Sequence, residues 1–454
     1  MGSSDPILLA LVGAILTLLG NMVVSVVNNR NTIAQEKLRA ASDLDLEKLK
    51  SKYELILQSI ATNDPEAAQR NIEFFIGSGL LDDEGGAIRD ALKRYGPVLP
   101  APGGGGAAPR SVLPSDMARL YNFPPGLDGT GQVVGLLEFG GGFKKKQVAA
   151  YFAKTGQPLP DIIEAPLPGA ANDPRDAAAS NQVLADIQLV GGIAPKAQLR
   201  VYFAAFGAPG WTAALRQAVQ DKVGVLLINW GMPEREWAPA DLRAVDRALR
   251  AAAQAGVTIV TSVGDQGAAL GAGGAREVAF PAASPWVLAV GGTALESGPE
   301  GIIAEVVWND PSGGASGGGV SQKIKPPAYQ AAVQVEGEVA AGRALPDVTA
   351  AAWNTLSLVG LGSSLAEIGG TSVAAAIWAG LIARINQGLG RNLGHLNPLL
   401  YQAIGPARVL RPITRGDNSR PGVKGYAATE SWSPVAGWGA PDGAKLLAWL
   451  KQNG

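Results

Sequence analysis

Between Ile7 and Val27 the chain runs through 21 residues without a charge, ILLALVGAILTLLGNMVVSVV. As a helix this is enough to cross a hydrocarbon layer about 30 Å thick. The six residues before it carry only Asp5, and no small-residue cleavage site follows, so the pattern reads as a membrane anchor rather than a cleaved signal peptide. Arg30, Lys37 and Arg39 follow the span, which places the long C-terminal part in the cytoplasm by the positive-inside rule. The residues after the anchor are highly charged. Leu46, Leu49, Tyr53, Ile56 and Ile60 recur there at steps of three and four, the spacing of an apolar helix seam. The seam covers about two heptads, so it suits either a short coiled coil between copies or packing on the next helices. Asp64-Pro65 opens a further helix, which stops at Gly77-Ser78-Gly79, and a short one spans 87–95. A stretch rich in Pro and Gly then marks a linker at 96–110.

Beyond the linker the pattern changes. Short, continuously apolar runs at 132–138, 198–204, 224–229, 257–263 and 286–290 read as buried strands. Helical stretches at 177–190, 212–220, 239–255, 371–387 and 443–452 alternate with them or follow them. Such alternation predicts an α/β fold with a mostly parallel sheet covered by helices on both faces. The expected organisation is therefore an anchor over 1–30, a helical module over 31–95, a linker over 96–110 and one large domain over 111–454.

Composition narrows the function. The formal net charge is −1 with 17% charged residues, and no basic stripe argues for nucleic acid. The chain has no cysteine, which excludes disulfides, thiolate catalysis and cysteine-held zinc. It has one histidine, His395, so a serine nucleophile with an imidazole base would have only that residue to use. His395 precedes a helix start and reads as a packing or surface residue. Ser372 stands in Gly369-Gly370-Thr371-Ser372 at the mouth of an apolar helix, where it reads either as a nucleophile or, with Thr371, as an N-cap. Asp265 directly follows a strand, where ligands of parallel sheets bind, though an aspartate between Gly264 and Gly267 also suits a turn.

Several short motifs occur in one order: Tyr121-Asn122-Phe123-Pro124, Leu137-Glu138-Phe139-Gly140, Ile228-Asn229-Trp230-Gly231, Phe280-Pro281-Ala282-Ala283-Ser284-Pro285, Gly317-Gly318-Gly319-Val320-Ser321, Pro346-Asp347-Val348 and the Ser372 motif. In this ordered set the 111–454 region resembles the sedolisins, serine-carboxyl peptidases, and most closely their kumamolisin branch. The resemblance implies a subtilisin-like fold, with Ser372 as nucleophile, Asp265 on the oxyanion side and Asp186 supporting a glutamate base. It also implies that Trp230, Gly231 and Gly317, Gly318 and Gly319 face substrate. The base belongs four residues before Asp186, on the same helix face, and that position is Gln182. An amide cannot take the serine proton, so assistance worth roughly 10²–10⁴-fold is expected to be lost.

Two other departures accompany this one. The resemblance implies a calcium site with two aspartates, but Pro412 and Ser433 occupy those positions, so no metal or other cofactor is expected. The stretch before the domain is too short for the family's folded propeptide, and no maturation cleavage is expected. The resulting expectation is a membrane-tethered pseudopeptidase that binds a peptide or protein partner. The alternatives are an active peptidase with an altered base, in which Asp186 serves Ser372, and an adaptor that oligomerises through its N-terminal helices.

Overall fold

The computed structural model describes residues 112–453, apart from 271–274, 311–313, 337, 354–355 and 360–364. The expected anchor, helical module and linker lie outside the described residues. Among those described, no helix is long and apolar enough to cross a membrane.

A central sheet organises the domain. Numbered within this sheet, its strands are β1 (Val133–Glu138), β2 (Asp161–Pro166), β3 (Gln198–Phe203), β4 (Val225–Ile228), β5 (Thr258–Ser262), β6 (Leu288–Gly298), β7 (Gly301–Val307) and β8 (Val348–Trp353). They lie in the order β8-β6-β5-β4-β1-β3-β2, all parallel, and β7 turns back antiparallel along the far half of β6. The central strands are almost wholly buried, as both-face coverage requires. The helices that matter for the site are α1 (Ala177–Ile193), α2 (Ala208–Gln220), α3 (Pro239–Gln254) and α4 (Thr371–Leu389). Helices α2 and α3 pack on each other and cover one face of the sheet, through Trp211, Leu215, Leu242, Val245 and Leu249. Helices α1 and α4 cover the other face.

The last two are buried almost all round, from Val183 to Ile193 in α1 and from Val373 to Ala383 in α4. They approach closely where Gly380 meets Ile193: a Cβ on Gly380 would lie 2.5 Å from Ile193 Cγ2. A larger residue there would push apart the two helices that carry Asp186 and Ser372. The predicted strands at 132–138, 198–204, 224–229 and 257–263 appear within one residue of their expected ends. The strand expected at 286–290 is longer, reaching Gly298, because its second half pairs with β7.

Candidate active site

The site collects where parallel strands end and helices begin. Glu138 is the last residue of β1, Asn229 and Trp230 follow β4, Asp265 follows β5, and Ser372 lies in the first turn of α4. Gly370, at φ +124°, is the N-cap of α4, so Thr371 and Ser372 are inside the helix and neither caps it. That corrects the cap reading. The left-handed backbone and the missing side chain both matter, since a Cβ on Gly370 would lie 2.8 Å from Asp265 Oδ2 and 3.2 Å from Ser372 Oγ. Asp265 and Ser372 thus face each other across Gly370. Asp265 is fixed by its other oxygen, which accepts from the Thr371 amide at 2.8 Å and the Thr371 hydroxyl at 2.7 Å. The same hydroxyl accepts from the Gly264 amide at 3.1 Å.

On the opposite side stands Asp186, fully buried in α1. Its Oδ1 accepts from the Gln182 side-chain amide at 2.9 Å and the Asn229 amide at 2.8 Å. The Asn229 amide also reaches the Ser372 carbonyl oxygen at 3.2 Å, tying the two helices together. Glu138 completes the cluster, with its Oε2 accepting the Trp230 indole N–H at 2.9 Å. Burial raises the Asp186 carboxyl to about 7, even though the bonds from Asn229, Gln182 and Glu138 pull it down. Burial first, and then the Asp186 charge, raise Glu138 well above the carboxylate range. Two carboxyl groups shut in one buried space cannot both ionise freely, so burial and the Asp186 charge hold Glu138 toward its neutral form. The other Glu138 oxygen has no hydrogen-bond partner among the described residues.

The expected residues therefore gather, but the bonding between them is not that of a relay. Among the described residues no carboxylate is hydrogen-bonded to Ser372 Oγ, and the one-turn neighbour of Asp186 is the amide of Gln182. His395 takes no part. Its Nε2 lies 2.9 Å from the Pro285 carbonyl oxygen and its ring packs on Trp286 and Tyr329. Of the residues expected to face substrate, Gly231 lines the cavity beside Ser372. Trp230 is half-buried, and Gly317, Gly318 and Gly319 are buried. Gly317 supports the loop before Asp265, its amide donating to the Gly264 carbonyl at 2.8 Å, whereas Gly318 and Gly319 pack against Pro434, Pro346 and Tyr426.

Glu138 and Asn229 carry roles that motif order alone did not give them. The signal was present in Glu138, a carboxylate ending an apolar buried strand at the carboxyl edge of a parallel sheet. Asn229 follows the adjacent strand β4.

The calcium that the resemblance implies does not fit these residues. Pro412 offers no side-chain donor, and the buried Ser433 hydroxyl already accepts from the Ala436 amide at 3.2 Å. The Thr429 hydroxyl is turned onto the Ser431 and Trp432 carbonyls nearby. Trp432 packs inside, donating to the Pro346 carbonyl at 3.2 Å.

Comparison with known proteins agrees with this geometry. Residues 170–399 match the subtilase family model, Peptidase_S8. Kumamolisin of Bacillus sp. (strain MN-32) is 41% identical over 354 residues, covering 75% of this chain and 64% of its own length. Sedolisin of Pseudomonas sp. (strain 101) is 37% identical over 276 residues, covering 57% of this chain and 46% of its own length. The chain thus spans less than two thirds of either relative. A solved structure of Pseudomonas sedolisin, a serine-carboxyl proteinase complexed with pseudo-iodotyrostatin, superposes with a TM-score of 0.69 at 30% identity, over 77% of this chain and 100% of that one. With the sheet order, the helix pair and these matches together, the chain belongs to the subtilase family, in its sedolisin-like, kumamolisin-related branch.

Proposed function

We propose that this protein is a membrane-anchored sedolisin homologue whose large domain holds peptide segments or a protein partner in its cleft without hydrolysing them. One observation carries the reading: the residue bonded to Asp186 one helical turn away is an amide, Gln182, and Ser372 Oγ has no hydrogen-bonded base among the described residues. Ser372, Asp265 and Asp186 keep a serine peptidase arrangement in outline. Without an acceptor for its proton, the serine hydroxyl remains a weak nucleophile. The purified chain should therefore leave a serine-directed fluorophosphonate unreacted. Labelling that disappears in Ser372→Ala, or peptide cleavage lost in that variant, would overturn the reading in favour of an active peptidase.

The anchor belongs to the same proposal and rests on the uncharged run from Ile7 to Val27 followed by basic residues. Since the chain has no cysteine, a single Gly104→Cys substitution reports topology cleanly. A membrane-impermeant maleimide should label it only after lysis. Labelling in intact cells would place the large domain on the other side.

A further inference from the structure

The segment from Pro412 to Ser433 lacks the carboxylates that would let a cation cross-link it, yet it is closely held. Its backbone closes on itself, with Asp417 bridged to Ala427 and Arg420 to Val423. Asn418, fully buried, accepts the Tyr426 amide on its side-chain oxygen at 2.8 Å. The charges of the segment disfavour a divalent cation. Arg415, Arg420 and Lys424 outnumber its carboxylates, Asp417 and Glu430, and Asp417 already accepts the Ser419 amide at 2.8 Å. What the segment meets instead is a guanidinium. Arg276 donates through Nε to the Lys424 carbonyl at 2.8 Å and through Nη2 to the Gly425 carbonyl at 3.3 Å. Its terminal nitrogens also grip both oxygens of Glu336 at 2.8 Å, and its Cζ lies 4.2 Å from the centre of the Tyr426 ring. One side chain thus gathers three stretches of chain: the loop that leaves Asp265, the short hairpin of Gln334–Val335 with Glu338–Val339, and the 412–433 segment. The contact between the first and the third continues inward, where the Ala268 amide donates to the Asn418 carbonyl at 2.9 Å. A Cβ on Gly267 would fall 2.6 Å from that same oxygen, so the close approach requires glycine.

We propose that Arg276 is a metal-free clasp, whose guanidinium draws the carbonyls of the C-terminal segment together and holds that segment against the loop that carries Asp265. The chemistry of the side chain suits the task. A planar fork of N–H donors serves two carbonyls and a carboxylate at once, whereas the ammonium of a lysine is a point charge on a flexible stem and cannot span them. Bonds from a charged donor to a carboxylate are also stronger than those between neutral groups. The segment is accordingly fixed by a residue of the chain itself and is indifferent to calcium. Through Asn418, Ala268 and Gly267 the clasp also steadies the backbone beside Asp265, since the Gly267 amide donates to the Ala315 carbonyl and the Ala315 amide to the Asp265 carbonyl, each at 2.9 Å.

The test follows amide hydrogen exchange by mass spectrometry on the full chain in detergent micelles. In the native chain, exchange over 417–428 should be the same in excess EDTA as in excess calcium chloride. Arg276→Ala should speed it about ten- to a hundredfold there and over 264–268, with α4 unchanged, because the opening is local. Arg276→Lys, which keeps the charge and loses the fork, should speed it nearly as much. Slower exchange in calcium than in EDTA would show a cation holding the segment and overturn the proposal. So would unchanged exchange over 417–428 in Arg276→Ala, or an equal rise in α4, which would make Arg276 a residue of general stability. If Arg276→Ala does not fold, Glu336→Gln serves, since Glu336 is exposed. It removes the charge that the fork grips and should speed exchange over 417–428 about threefold or more, and no change there would likewise overturn the clasp.

Discussion

Gln182→Glu is expected to raise hydrolysis of an unmodified peptide by about 10²- to 10⁴-fold, the usual contribution of a positioned general base. The substitution changes the amide to a carboxylate on a side chain of nearly the same shape, already held one turn from Asp186 by a 2.9 Å bond. The remaining parts stand in place: Ser372 in the first turn of α4, Asp265 fixed by Thr371, and Asn229 linking the two helices. The introduced carboxylate works only when ionised. The gained rate should therefore rise with pH as the introduced carboxyl and Asp186, within 2.9 Å of each other, lose the first of the protons they share, not at a free glutamate's value. Because groups of this kind act as a unit, Ser372→Ala in the same background should abolish the whole gain. A correctly folded Gln182→Glu variant without peptidase activity would show that the missing base is not what silences the site.

The second large effect is on stability. Asp347→Ala should destabilise the domain by about 3–5 kcal/mol, because it leaves a buried guanidinium without its counter-charge. Arg343 and Asp347 are both fully buried and 2.7 Å apart. Asp347 also accepts from the Ala289 amide at 2.8 Å and the Tyr401 hydroxyl at 2.8 Å. Its carbonyl takes the Trp438 amide at 2.8 Å, so this one residue joins β6, the strand β8 that follows it and the C-terminal loop. Denaturant unfolding of the two proteins measures the loss directly. Replacing the pair together by Arg343→Met and Asp347→Leu should cost much less, since no lone charge then remains. A single-variant loss below about 1 kcal/mol would mean that Arg343 finds water or another partner instead.

How much of this could be read from the residues depended on how each element is buried. The strands β1, β3, β4 and β5 were legible because sheet interiors covered on both faces leave continuous apolar runs. The edge strand β2, DIIEAP, is half-exposed and ends in proline, so its pattern resembles a loop. Strand β8, VTAAAW, is buried yet built largely of alanine, a residue of low strand preference. Its place is fixed by packing on α4 and pairing with β6 rather than by its own sequence. In the site, Gln182, Asp186, Asp265 and Ser372 were all named from motif order. The coupling between Glu138 and Asp186 was not, because it arises from the meeting of a strand end and a helix interior far apart in sequence. The Thr371 hydroxyl was read as a cap and is a brace for Asp265 instead. A threonine beside a helix start suits either use, and only the neighbouring loop decides.

The amides of Gln182 and Asn229 both point toward Asp186. A serine is activated when protons leave it inward, each group accepting from the one before. Here the flow is closed from the inner end, because Asp186 Oδ1 is already taken by the amides of Gln182 and Asn229. The site is thus wired with its polarity reversed, held together by two amide donors that no change of pH turns into bases.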